Sequence, residues 1–265
     1  MQEYIKTDRQ IHWLSQVITR VNRAYVPGKE DDSHTNLAFD PLTNRLFGRW
    51  IEGPSGSIIS ALDLRSLDFL WLDALHHTLH RVPVWNHTTG ELVSELAVFP
   101  ASHSMDTAPL HLPLHFAIPE YGISSLNKGE VSAEGLQQWV FFRTLANQAC
   151  TSMLGYLQDN SEVRIWPHHF DTGVYSMLTE RFGLGFGWAM NDPMAGQPYF
   201  YMAGYNQDSP LSYSGLPQLS HGRWVTGTQW NGAILPMEAL NAATRVEAEE
   251  TVQTFIREAA AFYLR

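Results

Sequence analysis

The chain has 265 residues, of which 44% are hydrophobic and 17% charged, a composition that indicates a folded globular protein and excludes a disordered one. Its formal net charge of −10 predicts repulsion from a nucleic-acid backbone or an anionic membrane surface. The single cysteine, Cys150, cannot form an internal disulfide. No signal peptide and no apolar run near the roughly 20 residues of a spanning helix can be recognised, so we expect a cytoplasmic protein.

The first half of the chain is predicted to begin with an amphipathic helix over residues 8–26, which ends at Pro27. Its apolar residues have the spacing of one helix face: Leu14, Val17, Ile18, Val21 and Tyr25. Alternating apolar residues and turn sequences then predict antiparallel strands at 35–40, 45–51, one or two within 57–73, 79–85 and 91–99. The connecting turns are expected at 41–44, 53–56 and 86–90.

A proline-bearing stretch separates the two halves of the sequence. Prolines recur between about residues 100 and 130 and disfavour a regular helix or a central strand: Pro100, Pro109, Pro113 and Pro119. We therefore expect an ordered crossover with short extended pieces.

The second half predicts a buried helix at 132–158 with Ser132 as its N-cap, and a closing helix at 246–264. Between these helices, a strand at 163–175 and two more at 182–191 and 199–206 form a predicted three-stranded meander. Residues 221–230 can add a further strand.

These elements predict an α+β fold, in which three main helices pack against antiparallel, curved sheets. We expect one compact domain over residues 1–265. A duplication into halves 1–125 and 130–265 is also compatible with the pattern, since each half starts with a helix and contains a Gly-Arg-Trp step, at Gly48 and at Gly222.

The segment 163–175 contains the densest group of chemically active side chains. If it is a continuous strand, alternation places His169, Asp171 and Tyr175 on one face, and Phe170 and Val174 on the other. The His-x-Asp pair and the tyrosine are therefore the candidate catalytic residues.

The two following strands can complete a pocket around this group. One of them has a nearly bare face, formed by Gly183, Gly185, Gly187 and Ala189, which allows a ligand to approach closely. The other aligns three tyrosines on one face, which together with Trp166 are the candidate ligand-binding residues: Tyr199, Tyr201 and Tyr205.

Three interpretations of the His-Asp pair remain open. Asp171 can orient His169 as a general base. Alternatively, both can bind a divalent metal with a third ligand from elsewhere, such as His111 or His115. In the third interpretation the pair has only a structural role.

Three stretches carry a resemblance to known proteins: Ile11-His12-Trp13-Leu14-Ser15-Gln16, Trp166-Pro167-His168-His169-Phe170-Asp171 and Pro198-Tyr199-Phe200-Tyr201. In these stretches the chain resembles a family of uncharacterised bacterial proteins with a Leu-His-x-Trp-x-Gln helix, a Trp-x-x-x-Phe-Asp strand and a later Pro-x-x-Tyr segment. The resemblance implies a compact bacterial α+β protein without an established activity, and it provides no catalytic residue.

The sequence is therefore compatible with three functions. The first is a small-molecule enzyme, with a hydrolase favoured, with or without a divalent metal. The second is a protein that binds an apolar or sugar-like ligand without chemical change, and the third is a structural protein.

Overall fold

A computed structural model of the chain describes residues 1–53, 56–241 and 244–265. Within these residues it contains five α-helices and two antiparallel sheets, which confirms the predicted α+β class. The helices are α1 (Gln2–Tyr25), α2 (Thr89–Ser102), α3 (Ala108–His111), α4 (Ala133–Leu157) and α5 (Arg245–Tyr263). The three predicted main helices are α1, α4 and α5.

The first sheet follows helix α1 and has six strands. They are β1 (Ala38–Asp40), β2 (Arg45–Phe47), β3 (Ile51–Gly53), β4 (Gly56–Asp63), β5 (Asp68–Asp73) and β6 (Thr78–Pro83). Their order is β1-β2-β4-β5-β6, and β3 pairs with β4. The predicted hairpin at 35–51 is confirmed by the pairing of β1 with β2. The predicted turn at 53–56 includes two residues, 54 and 55, that lie outside the described part of the chain.

The second sheet follows helix α4 and also has six strands. They are β7 (Arg164–Ile165), β8 (Thr172–Met177), β9 (Phe182–Ala189), β10 (Tyr199–Asn206), β11 (Arg223–Val225) and β12 (Gly232–Pro236). The order is β11-β12-β10-β9-β8-β7, so β8, β9 and β10 form the predicted meander. The strand expected within 221–230 is β11.

The chain divides into two compact units. The N-terminal unit comprises residues 2–141 and 165–170, and the C-terminal unit comprises residue 1, residues 142–164 and residues 171–265. The N-terminal unit contains the first sheet, and the C-terminal unit contains strands β8 to β12 of the second sheet. The predictions of one domain and of duplicated halves remain predictions.

The repeated Gly-Arg-Trp step has a different structural role in each unit. A β-carbon on Gly48 would lie 2.5 Å from Asn22 Oδ1 and 2.9 Å from Ser60 Oγ, so this glycine permits close packing of α1 on β4. Gly222 instead has a φ of +85°, which favours glycine, and it directly precedes strand β11. The repeated triplet is therefore no argument for duplication.

The strand predicted at 91–99 is wrong, because these residues belong to helix α2. Thr88 caps this helix in a reciprocal pair with Glu91: the Glu91 N–H donates to Thr88 Oγ1, and the Glu91 carboxylate accepts from the Thr88 N–H. Pro100 lies in the last turn of α2, and Pro109 lies in the first turn of α3, where the missing N–H costs no helical hydrogen bond. The expected crossover therefore contains helical pieces.

Helix α1 starts six residues earlier than predicted and buries polar as well as apolar side chains. Its buried polar residues extend along most of its length: Thr7, Asp8, Gln10, His12, Ser15, Gln16, Thr19 and Asn22. Buried polar groups require hydrogen-bond partners. His12 and Gln16 find such a partner in the segment 163–175, at the carbonyl oxygen of Pro167.

Candidate functional site

The segment 163–175 is two short strands separated by a turn, so the prediction of a continuous strand is wrong. Strand β7 ends at Ile165 and β8 begins at Thr172. Between them, the N–H of Phe170 donates to the carbonyl of Trp166 over 2.6 Å, and Phe170 has a φ of +58°. Pro167 occupies the second position of this turn, which its fixed φ suits. Strand alternation therefore no longer places His169 on the face of Tyr175.

Two of the predicted site residues, Trp166 and His169, belong to the N-terminal unit. His169 is exposed, and its ring lies 4.5 Å from that of His168. The His168 ring in turn contacts Trp166 at 6.2 Å and Phe116 at 5.7 Å. Because His169 and Asp171 fall in different units, their catalytic or metal-binding pairing remains a prediction.

Helix α1 fixes the turn through the carbonyl group of Pro167. This oxygen lies 2.8 Å from His12 Nε2 and 2.9 Å from Gln16 Nε2. A carbonyl only accepts hydrogen bonds, so His12 carries a proton on Nε2. In the neutral ring, Nδ1 then accepts from the Tyr121 hydroxyl over 2.7 Å. Neither His12 nor Gln16 is among the predicted site residues, although both lie in the motif that carries the resemblance.

Aromatic packing holds the end of the turn in the same unit. The buried Phe170 ring stacks on His12 with centroids 4.8 Å apart and an interplanar angle of 8°, and it lies 6.3 Å from the Trp139 ring. Trp139 Nε1 donates to the buried carboxylate of Asp8 over 2.8 Å. This burial stabilises the positive φ of Phe170, which is uncommon for a bulky residue.

The C-terminal unit contains the other predicted site residues, and its strand register aligns their faces. Tyr175 of β8 lies opposite Gly185 of β9, while Gly187 and Gly183 lie opposite Tyr201 and Tyr205 of β10. These glycines and tyrosines therefore lie on the same face of the sheet.

Tyrosine side chains lie directly over the glycines. A β-carbon on Gly183 would overlap the Tyr175 hydroxyl, one on Gly185 would lie 3.3 Å from the Tyr205 ring, and one on Gly187 would lie 3.0 Å from the Tyr201 hydroxyl oxygen. A ligand at this face would therefore meet tyrosine rings and not bare backbone. We call this surface, formed by Tyr175, Tyr201, Tyr205 and Asp171 over the three glycines, the tyrosine face.

Carboxylates orient two of the tyrosine hydroxyls in the C-terminal unit. The Tyr201 hydroxyl donates to Asp171 Oδ2, and the Tyr199 hydroxyl donates to Asp192 Oδ2, each over 2.6 Å. Burial, followed by the charge of Asp171 and the hydrogen bond to it, raises the pKa of Tyr201 well above its usual value. Burial and then the hydrogen bond to Asp192 raise the pKa of Tyr199 in the same way. Both hydroxyls are therefore neutral donors at pH 7.

The side chains at the start of β8 that do not belong to the tyrosine face are tightly packed. The buried Arg143 guanidinium donates to Thr172 Oγ1 over 2.8 Å, and Cys150 Sγ lies 3.8 Å from the Thr172 carbonyl oxygen. Burial, and secondarily the charge of Asp171, raises the pKa of the Cys150 thiol. Cys150 is therefore a buried thiol with little of the reactive thiolate form.

The metal hypothesis gains no further ligand from the structure. Across residues 1–53, 56–241 and 244–265, no three His, Cys, Asp or Glu side chains are arranged to hold a metal ion. His115, one of the proposed third ligands, pairs through Nε2 with Asp32 Oδ2 at 2.5 Å. The divalent metal therefore remains a prediction from the sequence.

Comparisons with protein-family models, with curated proteins and with solved structures gave no match to this chain. The class that can be assigned is therefore the α+β fold with two antiparallel sheets. In the described part of the chain, none of the helices has the length and apolar character that crossing a membrane requires.

Proposed function

We propose that this protein binds a small, uncharged, sugar-like molecule on the tyrosine face. The observation that carries the proposal is the stripe of Gly183, Gly185 and Gly187 covered by tyrosine rings, beside the carboxylate of Asp171. Such a surface combines flat apolar rings with oriented polar groups, as ligand sites commonly do.

The two outer rings supply the apolar contact. Tyr175 and Tyr205 are 44% and 46% exposed, and their ring centroids lie 5.9 Å apart. Tyrosine rings lose little conformational entropy when they bind a ligand, and they present an apolar face with a polar tip. The C–H face of a sugar ring can stack on such a surface while its hydroxyl groups remain available for hydrogen bonds.

Asp171 supplies the polar contact. An ionised carboxylate has about four lone-pair positions, of which the Tyr201 hydroxyl uses one. The others can accept hydroxyl groups from a ligand. The net charge of −10 disfavours an anionic ligand, so a neutral polyol or sugar fits better than a sugar acid or a sugar phosphate.

Hydrolysis is the weaker alternative for the same residues. The sequence favoured hydrolysis because a continuous strand would place His169 and Asp171 on the same face. The turn at 166–170 interrupts that strand, so this reason no longer applies. The catalytic roles of His169, Asp171 and Tyr175 stay predictions, and binding without chemical change needs none of them to transfer a proton.

A calorimetric screen with neutral sugars tests the proposal. The probes are glucose, galactose, xylose, N-acetylglucosamine and their β-linked disaccharides, measured with the wild type and with Asp171→Asn. We expect saturable binding of at least one probe, weakened about tenfold by the loss of the charged acceptor. Binding of none of the probes would contradict the proposal. If chromatography detected monosaccharides released from a disaccharide, the binding proposal would give way to hydrolysis.

A further inference from the structure

The N-terminal unit contains a cavity at the C-terminal end of helix α2. It has a volume of about 300 Å³ and lies between the start of β4, the β5–β6 connection and the end of α2. The residues that line it include Ile58, Asp73, Leu75, Leu79, Phe99 and His103. We call it the α2 cavity. Its volume is at the lower end of the range of small-molecule sites.

The walls of the α2 cavity are apolar and partly open to solvent. Leu75 and Leu79 are 76% and 43% exposed, whereas Ile58 and Phe99 are buried. The Phe99 ring also contacts His103, with centroids 4.5 Å apart. The two exposed leucines therefore give the cavity an apolar rim, a feature that is common at ligand-binding sites.

Two of the polar side chains that line the α2 cavity, Asp73 and His103, offer hydrogen-bond acceptors. His103 Nδ1 lies 2.9 Å from the Phe99 carbonyl oxygen, which only accepts, so Nδ1 carries the proton and Nε2 of the neutral ring is an acceptor. Asp73 Oδ1 accepts from the backbone N–H groups of Leu75 and His77, each over 2.8 Å, and Oδ2 lies 3.0 Å from His77 Nδ1. The backbone hydrogen bond from His77, the largest influence, and the one from Leu75 lower the pKa of Asp73, with burial acting in the opposite direction.

Among the side chains that line the α2 cavity, Asp73 supplies a carboxylate, whose Oδ2 also pairs with His77. The ionised Asp73 and the C-terminal end of the 14-residue helix α2 both favour a cation, and the net charge of the chain is −10. The Phe99 ring adds an aromatic surface that suits a positive charge. A ligand for this cavity therefore needs an apolar body and a positively charged hydrogen-bond donor.

We propose that the α2 cavity is a binding site for small apolar amines in their protonated form. The site is independent of the tyrosine face, which belongs to the other unit. Its recognition combines burial of an apolar body against Leu75, Leu79 and Phe99 with an ion pair between the ammonium group and the Asp73 carboxylate.

Isothermal titration calorimetry at pH 7.5 with three probes of one shape tests this proposal. The probes are 2-phenylethylamine, 2-phenylethanol and 3-phenylpropanoate. We expect one binding site for the amine, about tenfold weaker binding of the alcohol, and the weakest binding for the carboxylate. Equal affinity for amine and alcohol, or no binding of the amine, would overturn the proposal.

Two variants locate the site, and a third is their control. Leu75→Arg places a positive charge at the mouth and is expected to weaken amine binding at least about tenfold. Asp73→Asn keeps a side-chain acceptor for the turn but removes the charge. It should therefore lower the affinity for the amine and leave the affinity for the alcohol unchanged. Leu42→Arg is the control, because Leu42 is 86% exposed and does not line the cavity. Amine binding that is unchanged in Leu75→Arg or in Asp73→Asn would refute the assignment, as would an equal loss in Leu42→Arg.

Discussion

Glycine-to-alanine substitutions at two positions of strand β9 should have different effects on the free energy of unfolding. Gly185 and Gly187 both have backbone conformations that alanine can adopt, since neither has a positive φ. Gly185→Ala and Gly187→Ala therefore differ only in what the new methyl group meets.

The surroundings of the two positions give the expected magnitudes. A β-carbon on Gly185 would have Tyr205 Cε2 as its nearest atom, at 3.3 Å. The Tyr205 ring is partly exposed, so it can move away by a few tenths of an ångström. Reduced entropy of the unfolded chain offsets this by about 0.4–1 kcal/mol, so the net change should stay within about 1 kcal/mol. At Gly187 the nearest atoms are the Thr172 carbonyl oxygen at 2.5 Å and Gly173 Cα at 2.8 Å. These are backbone atoms of β8, and overpacking against them costs about 1–3 kcal/mol.

Urea unfolding followed by circular dichroism and tryptophan fluorescence measures the difference. At a slope of about 2 kcal/mol per molar urea, we expect Gly187→Ala to unfold about 1 M below Gly185→Ala. Equal midpoints for the two variants would refute the register that places Gly187 against β8.

Three further predictions concern the cap of α2, the fixation of the turn and the buried tyrosines. Thr88→Ala should lower the free energy of unfolding by about 1 kcal/mol and reduce helical circular dichroism, and an unchanged spectrum would contradict the cap. His12→Phe removes the donor to the Pro167 carbonyl and should cost about 1–3 kcal/mol in a urea titration, whereas wild-type stability would show that this hydrogen bond is dispensable. Tyr199 and Tyr201 have raised pKa values, so above about pH 10 the unfolded chain loses protons that the folded chain retains, and stability should fall as pH rises. Absorbance at 295 nm should then show tyrosines that ionise only on unfolding, and titration of all ten tyrosines near pH 10 in the folded protein would contradict their burial.

The meander of the C-terminal unit could be predicted because its pattern is local. In β9, glycine or alanine alternates with bulky apolar residues over the whole strand, and β10 alternates tyrosine with small or apolar residues. Such alternation assigns each residue to one face of its strand, whereas the register that brings the glycines opposite the tyrosines is seen only in the structure. The sequence did not reveal that the tyrosine rings lie over the glycines.

The turn at 166–170 could not be predicted in the same way. Phe170 adopts a positive φ because its ring is buried against His12 and Trp139, which are distant in sequence. The polar face of α1 was missed for a similar reason, since the partners of His12 are Tyr121 and Pro167. Contacts between distant residues overrode the local pattern.

Helix α2 is a different case, because its signal was present in the sequence. Thr88 and Glu91 have the spacing of a capping box, which indicates a helix start. The interpretation of 91–99 as a strand gave more weight to the preceding turn and to Pro100. A proline in the last turn of a helix is compatible with this cap.

Comparison of Tyr205→Ala with Tyr156→Ala tests most directly whether the tyrosine face is the binding site. Both tyrosines are in the C-terminal unit and are similarly exposed, Tyr205 at 46% and Tyr156 at 52%. Tyr205 belongs to the tyrosine face, whereas Tyr156 belongs to helix α4. Calorimetry with the best sugar probe should give affinity reduced at least about tenfold in Tyr205→Ala and nearly unchanged in Tyr156→Ala, since a stacked aromatic ring contributes about 1–3 kcal/mol. Equal affinities of the two variants would contradict the assignment of ligand binding to this face.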